Sequence, residues 1–164
     1  GHQERGRRGG TENVVGIVAL GKAFEILRHE ITTEIETVRK LRDRFEQALF
    51  ARIPDLVLNG PPASRRLPNT VNISFRFVEG EALLLNLDMQ GIACSSGSAC
   101  SSGSLDPSPV LSAMGVDPTD AQGSLRFSLG HGNTVEEVDY AVDTIVAVVE
   151  KLRSMSPLWQ PKAP

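Results

Sequence analysis

The spacing of apolar residues between Val14 and Leu49 is the strongest constraint on the fold of this chain. Apolar side chains recur there at intervals of three and four residues, the period with which one face of an α-helix repeats. The pattern predicts a helix of about 35 residues, which at about 1.5 Å per residue would be about 50 Å long. That length exceeds the diameter of a small domain, so we expect the helix either to bend or to link two bodies. Thr11 is the expected N-cap, and Pro54 ends the region.

Shorter patterns after Pro54 predict a small sheet with further helices. Alternation of apolar and polar residues is typical of half-buried strands, and a Thr-x-x-Glu sequence before an apolar periodic run is typical of a helix start. The order of these elements indicates an α+β fold, a small sheet with helices on one face. We expect strands at 56–58, 70–75, 91–93 and 124–129, and helices at 79–90, 107–114 and from the Thr134–Glu137 capping box to Leu152.

Composition narrows the class of protein. With 40% apolar residues in 164 positions, the chain can bury one core, which excludes full-length disorder. A net charge of −3 does not favour nucleic acid as a partner. The apolar runs are far shorter than the roughly 20 residues that cross a bilayer, so no membrane partner is expected. Two cysteines exclude a disulfide scaffold, and we expect a cytoplasmic protein with reduced thiols.

Residues 94–104, CSSGSACSSGS, form the most unusual segment of the sequence. Gly/Ser composition is typical of a flexible linker, but this segment lies between elements of one domain and carries both cysteines, Cys94 and Cys100. The spacing does not suit zinc, which takes about four ligands, and no metal site is expected. A Cys94–Cys100 disulfide is geometrically feasible but disfavoured in a reducing compartment. The remaining chemical alternative is a nucleophilic thiolate on a mobile loop.

Two further positions have both a plain and a functional interpretation. Arg126 lies in the alternating segment SLRFSL, where Leu125 and Phe127 would share one face and Arg126 would lie on the other. It is either a solvated strand residue or a clamp whose guanidinium fork matches a carboxylate. The Gly9-Gly10-Thr11 turn before the long helix is either a simple cap or a phosphate site made of backbone N–H groups and a hydroxyl.

Several segments together resemble the cysteine desulfurases of the nitrogenase and iron–sulfur type. The resemblance spans nearly the whole chain, and the SSGSAC sequence that ends at Cys100 is its most specific part. It implies the small C-terminal domain of a PLP-dependent transferase of fold type I, class V, active as a homodimer. The matching segments are 1–25 with GTEN, 67–75, 79–84, 95–115, 124–130, 133–139 and SPLW at 156–159.

The resemblance also implies a reaction and its residues. In this family pyridoxal phosphate (PLP) is the electron sink while an enzyme thiolate attacks the sulfur of L-cysteine, giving alanine and an enzyme persulfide. By position, Cys100 is the nucleophile, which would pass sulfur to an iron–sulfur scaffold or another acceptor and would transiently contact an iron–sulfur cluster. Arg126 would bind the substrate carboxylate, and Thr11 the PLP phosphate of the partner subunit. Cys94 falls outside the matching position and is expected to be structural.

The chain departs from the family at the PLP lysine. Its lysines are Lys22, Lys40, Lys151 and Lys162, none follows a histidine, and the Schiff-base lysine of the family precedes the GTEN segment. We therefore expect a fragment: a truncated loop of the large domain at 1–13, a long connecting helix and small domain with a mobile Cys loop (94–104) at 14–155, and a tail at 156–164. The alternative is a non-catalytic sulfur carrier or interaction module.

Overall fold

The structure, a computed structural model, describes residues 1–96, 108–157 and 159–160 of the chain. It divides into two compact units, Gly1–Glu34 and Ile35–Pro164. The α+β architecture expected from the sequence is confirmed. The helices are α1 (Gln3–Gly6), α2 (Val14–Arg52), α3 (Gly80–Asp88), α4 (Pro109–Ala113), α5 (Pro118–Gln122) and α6 (Val135–Ser154), with a 3₁₀ turn at Ala63–Arg65; the strands are β1 (Leu56–Leu58), β2 (Thr70–Phe75), β3 (Ser95–Ser96) and β4 (Ser124–Ser128).

The first unit contains α1 and the first part of α2. The sequence predicts an irregular loop over residues 1–10, and the structure has a single short turn there, in which Glu4 and Arg5 have positive φ. The long helix begins at Val14, close to where the periodicity predicts it. Its N-cap is Asn13 rather than Thr11, because the Asn13 Oδ1 accepts a hydrogen bond from the Gly16 N–H at 3.0 Å. Thr11 was therefore wrongly predicted as the cap.

The second unit is built on a four-stranded antiparallel sheet in the order β1-β2-β4-β3. One face of the sheet is apolar and forms a continuous core with the second part of α2, with α3 and with α6. Ring contacts join the layers: the ring centroids of Phe45 in α2 and Phe127 in β4 are 5.0 Å apart. These three helices therefore cover the apolar face, and polar residues of the strands lie on the other face.

A close backbone approach joins the start of α3 to the start of β4. A Cβ on Gly80 would lie 2.5 Å from the Gln122 carbonyl oxygen, and one on Gly123 would lie 2.7 Å from the Phe75 carbonyl oxygen. Only glycine fits at such distances without moving the backbone. The Phe75 N–H donates to the Gly123 oxygen at 2.9 Å, so these two glycines allow α3 to begin where β2 meets β4.

Two elements differ from the prediction. The prediction of a strand at 91–93 is wrong, because those residues form the turn that ends α3. Gly91 has a φ of 77°, and the N–H of Ile92 donates to the backbone carbonyl oxygen of Leu87. N–H groups used in this way at a helix end cannot pair in a sheet, and the strand forms later, at Ser95–Ser96. Helix α5 was not predicted, although Asp117 caps it and Pro118 begins it.

Candidate functional site

Arg126 lies at the centre of the polar face of the sheet. Along β4, Leu125 and Phe127 are buried in the core and Arg126 is exposed on the opposite side, as the alternation predicts. Within the described part of the chain, the guanidinium of Arg126 has no hydrogen bond and no ion pair. An exposed and uncommitted guanidinium can bind a planar anion such as a carboxylate through two parallel hydrogen bonds.

The sheet brings three polar residues into one row across the strands. Asn72 of β2 lies directly opposite Arg126 on one side, and Ser95 of β3 lies directly opposite it on the other. Residues paired in this way in an antiparallel sheet project from the same face, with Cβ atoms about 5 Å apart. The segment that contains Cys94 and Ser95 thus enters the site beside Arg126. Cys100 lies outside the described residues.

A hydrogen-bond network holds the Asn72 end of this row. The side-chain amide of Asn59 donates to the Asn72 Oδ1 at 2.7 Å and to the Ser74 Oγ at 2.8 Å. Asn59 is 7% exposed and Ser74 fully buried, so the bond between these two residues is shielded from water, and the bond to Asn72 is partly buried. The backbone N–H of Asn59 also donates to the backbone carbonyl oxygen of Asn72 at 2.9 Å. Sequence reasoning missed Asn59 and Asn72; the alternation in TVNISF places Asn72 on a polar face but says nothing of what lies opposite.

Cys94 lies in an apolar environment next to this site. It is half-buried and packs against the core beyond the end of α3. Burial raises the pKa of its thiol from the ordinary 9.0 to about 11, and the nearby Asp88 carboxylate acts in the same direction. Because the thiolate is the nucleophilic form, Cys94 is held in its unreactive form at neutral pH.

Thr11 belongs to the first unit. It is exposed and precedes the Asn13 cap of α2, while its neighbours Arg8 and Glu12 form an ion pair with each other. Since Asn13 provides the helix cap, the Thr11 hydroxyl has no capping role, and it has no hydrogen bond within the part that the structure describes. The hydroxyl is therefore free to bind an oxyanion.

Other features of the described residues do not add to the site. A shallow groove of about 510 Å³ lies beside β1, against Met114 and Asp117, and its lining does not include Arg126. Within residues 1–96, 108–157 and 159–160, no three His, Cys, Asp or Glu side chains are grouped so that they could hold a metal ion. Over the same residues, no helix combines the length and the apolar character needed to cross a membrane.

Curated relatives are similar over almost all of the chain. A cysteine desulfurase of Gluconacetobacter diazotrophicus is 54% identical over 97% of this chain and 40% of its own length. A cysteine desulfurase of Trichormus azollae is 53% identical over 99% of this chain and 40% of its own length. The chain thus spans about 40% of the length of these relatives.

The chain is also similar to solved structures and to one family model. A NifS-like protein superimposes with a TM-score of 0.78 at 37% identity, over 93% of this chain and 38% of that one. A NifS-like protein of Rickettsia africae superimposes with a TM-score of 0.75 at 30% identity, over 92% of this chain and 38% of that one. A model described as aminotransferase class V matches residues 2–141. Because the match covers most of its length, the chain belongs to the class V aminotransferase family.

Proposed function

We propose that this chain is part of a cysteine desulfurase, in which it binds the substrate carboxylate and supplies the sulfur-accepting thiol. The observation that carries the proposal is the placement of Arg126. Its guanidinium is exposed, has no partner in the described residues, and lies beside the strand formed by the first two residues of SSGSAC. The similarity to cysteine desulfurases of two organisms at above 50% identity supports the same reaction.

The proposed reaction transfers one sulfur atom. Arg126 holds the carboxylate of L-cysteine, and the Cys100 thiolate attacks the substrate sulfur. An S–S bond forms, the substrate C–S bond breaks, and its electron pair stays with the carbon skeleton, which takes up a proton to become L-alanine. PLP, when bound, supplies the electron sink for that pair. The products are L-alanine and a persulfide on Cys100.

The described residues fit the edge of a PLP site and not its covalent attachment. The Thr11 hydroxyl has no partner among the described residues, and we propose that it binds the phosphate. The described lysines are less suitable: Lys22 pairs with Glu25, while Lys40 and Lys151 lie on exposed helix faces. We therefore assign no lysine of the described residues to PLP.

The alternative function is a non-catalytic sulfur carrier or interaction module, and the placement of the lysines favours it for the 164-residue chain by itself. Incubated with PLP and L-cysteine, this chain is expected to show no PLP absorbance band and to release no sulfide. Turnover by the chain alone would overturn our assignment of the lysines.

The nucleophile is tested in the PLP-loaded protein that carries these residues. Cys100→Ser is expected to abolish persulfide formation while PLP remains bound, because the other cysteine is kept protonated by burial. Cys94→Ser is the matched control and is expected to form persulfide normally. Persulfide in the Cys100→Ser protein, detected by mass spectrometry, would refute the assignment.

The remaining parts of the proposal concern the surroundings of the reaction. We propose that the protein is a homodimer in which Thr11 contacts the PLP phosphate of the partner subunit, and that it is located in the cytoplasm. We also propose that an iron–sulfur scaffold or another sulfur-acceptor protein takes sulfur from Cys100. A transient contact of Cys100 with an iron–sulfur cluster belongs to the same proposal. The apolar, exposed surface of the first part of α2 is compatible with burial in such a larger assembly.

A further inference from the structure

We propose that the side-chain amide of Asn72 is a second donor to the carboxylate of the amino-acid substrate, beside Arg126. This inference rests on the proposed function and adds a residue that distinguishes a carboxylate from other groups at that position. It is carried by strand register and by a hydrogen-bond network, both of which lie within the described residues.

The register places the two donors side by side. Asn72 and Arg126 are direct partners in the β2–β4 pairing, and Arg126 projects from the polar face, so Asn72 projects from that face as well. Asn72 is partly exposed. A ligand bound by the Arg126 guanidinium on this face therefore meets Asn72 as its neighbour on β2.

The network fixes which end of the Asn72 amide is available. Its Oδ1 accepts the hydrogen bond from Asn59, whose own amide is held in a buried position by the second bond to Ser74. With the oxygen occupied by this bond, the two N–H groups of Asn72 remain as donors. They have no acceptor among the residues that the structure describes.

The chemistry of this pair suits a carboxylate. A carboxylate has two oxygens and accepts up to about four hydrogen bonds, more than the two that a guanidinium fork provides. A neutral amide adds a donor without adding charge, so the site binds one negative charge with one positive charge. An amino-acid derivative whose carboxylate is replaced by an amide offers fewer acceptors and no charge, and both residues discriminate against it.

The test compares two ligands in the PLP-loaded protein that carries this chain. Dissociation constants for L-alanine and L-alaninamide are measured by calorimetry, and their ratio reports recognition of the carboxylate. Asn72→Asp keeps an acceptor for Asn59 but replaces the donor with a negative charge. It is expected to change the ratio at least tenfold in favour of the amide, by loss of the donor and by charge repulsion together. Asn72→Ala removes the donor without adding a charge and is expected to change the ratio about threefold, whereas a purely structural role would weaken both ligands equally in that variant.

Further variants separate the two proposals. Arg126→Ala is expected to change the ratio in the same direction; if it does not, the carboxylate site itself is wrong and the proposed function loses its main support. If Arg126→Ala changes the ratio while Asn72→Ala does not, only the role of Asn72 is refuted. Should Asn72→Asp fail to fold, Asn72→Ala alone decides. Arg44→Ala, which alters an exposed arginine paired with Asp139, is the control and is expected to leave the ratio unchanged.

Discussion

At the scale of single residues, the two cysteines of the SSGSAC region have different expected reactivities. Cys94 packs against the core, where burial raises its thiol pKa to about 11. Cys100 is assigned as nucleophile from the resemblance and lies outside the described residues. The environment of Cys94 thus supports the division of roles, because a protonated thiol does not compete for the substrate sulfur.

The pKa of Cys94 predicts slow alkylation. In the Cys100→Ser chain, the reaction with iodoacetamide at pH 8 should be roughly a hundredfold slower than that of an exposed cysteine, because each pKa unit changes the thiolate fraction about tenfold. The rate should rise steadily with pH up to about 11, where half of the thiol is ionised. Unfolding in urea is the control and should restore the ordinary rate. A rate that levels off near pH 9 in the folded chain would contradict the assignment.

At the scale of elements, α6 shows how a local sequence signal becomes a measurable contribution to stability. The Thr134 hydroxyl accepts from the Glu137 N–H at 3.2 Å, and the Glu137 carboxylate accepts from the Thr134 N–H at 3.1 Å. The capping box predicted from the sequence is therefore confirmed. It satisfies N–H groups that an uncapped helix would leave without partners.

Removing this cap should destabilise the chain. Thr134→Ala is expected to lower the free energy of unfolding by about 1 kcal/mol, the usual loss for an N-cap hydroxyl. Urea denaturation followed by circular dichroism measures the change. Glu150→Ala, an exposed position in the same helix, is the matched control and should change the free energy by less than about 0.5 kcal/mol. Equal losses in both variants would show that the capping bonds do not contribute.

At the scale of the whole molecule, the first part of α2 exposes an unusual amount of apolar surface. Side chains on several sides of the helix are between 41% and 81% exposed. A helix that is apolar on several sides is normally buried in a larger core. The residues concerned are Val14, Val15, Ile17, Val18, Leu20, Phe24, Ile26, Leu27 and Ile31.

This surface predicts that the 164-residue chain associates with itself when studied alone. Sedimentation velocity is expected to show a weight-average mass that rises with concentration, because exposed apolar patches of this kind drive association. The double variant Val15→Glu, Phe24→Glu should reduce the association. The matched control Leu85→Glu, Met89→Glu changes two exposed apolar residues, one on α3 and one at its C-terminal cap, and should leave the association unchanged. A monomer at every concentration would contradict the prediction.

Features that depend on neighbours in the chain could be predicted from the sequence alone. The helical period of α2, the alternation in β2 and β4, and the capping box of α6 are local patterns, and all three are confirmed. Errors arose where two local signals competed, as at Asn13, which caps α2 in place of Thr11, and at Gly91, which ends α3 where a strand was expected.

Features that depend on distant parts of the chain were decided by the tertiary structure. The placement of Asn72 opposite Arg126 depends on strand register, which is set by how the whole sheet buries its apolar face. Contacts of the Trp159 ring with the tilted Phe77 ring and with the Arg153 guanidinium bring the tail onto the turn after β2. The sequence by itself determined the longer helices, most strands and the motifs that identify the family. Only folding placed Asn72 and Ser95 beside Arg126 and partly buried Cys94, because register and burial arise from non-local packing.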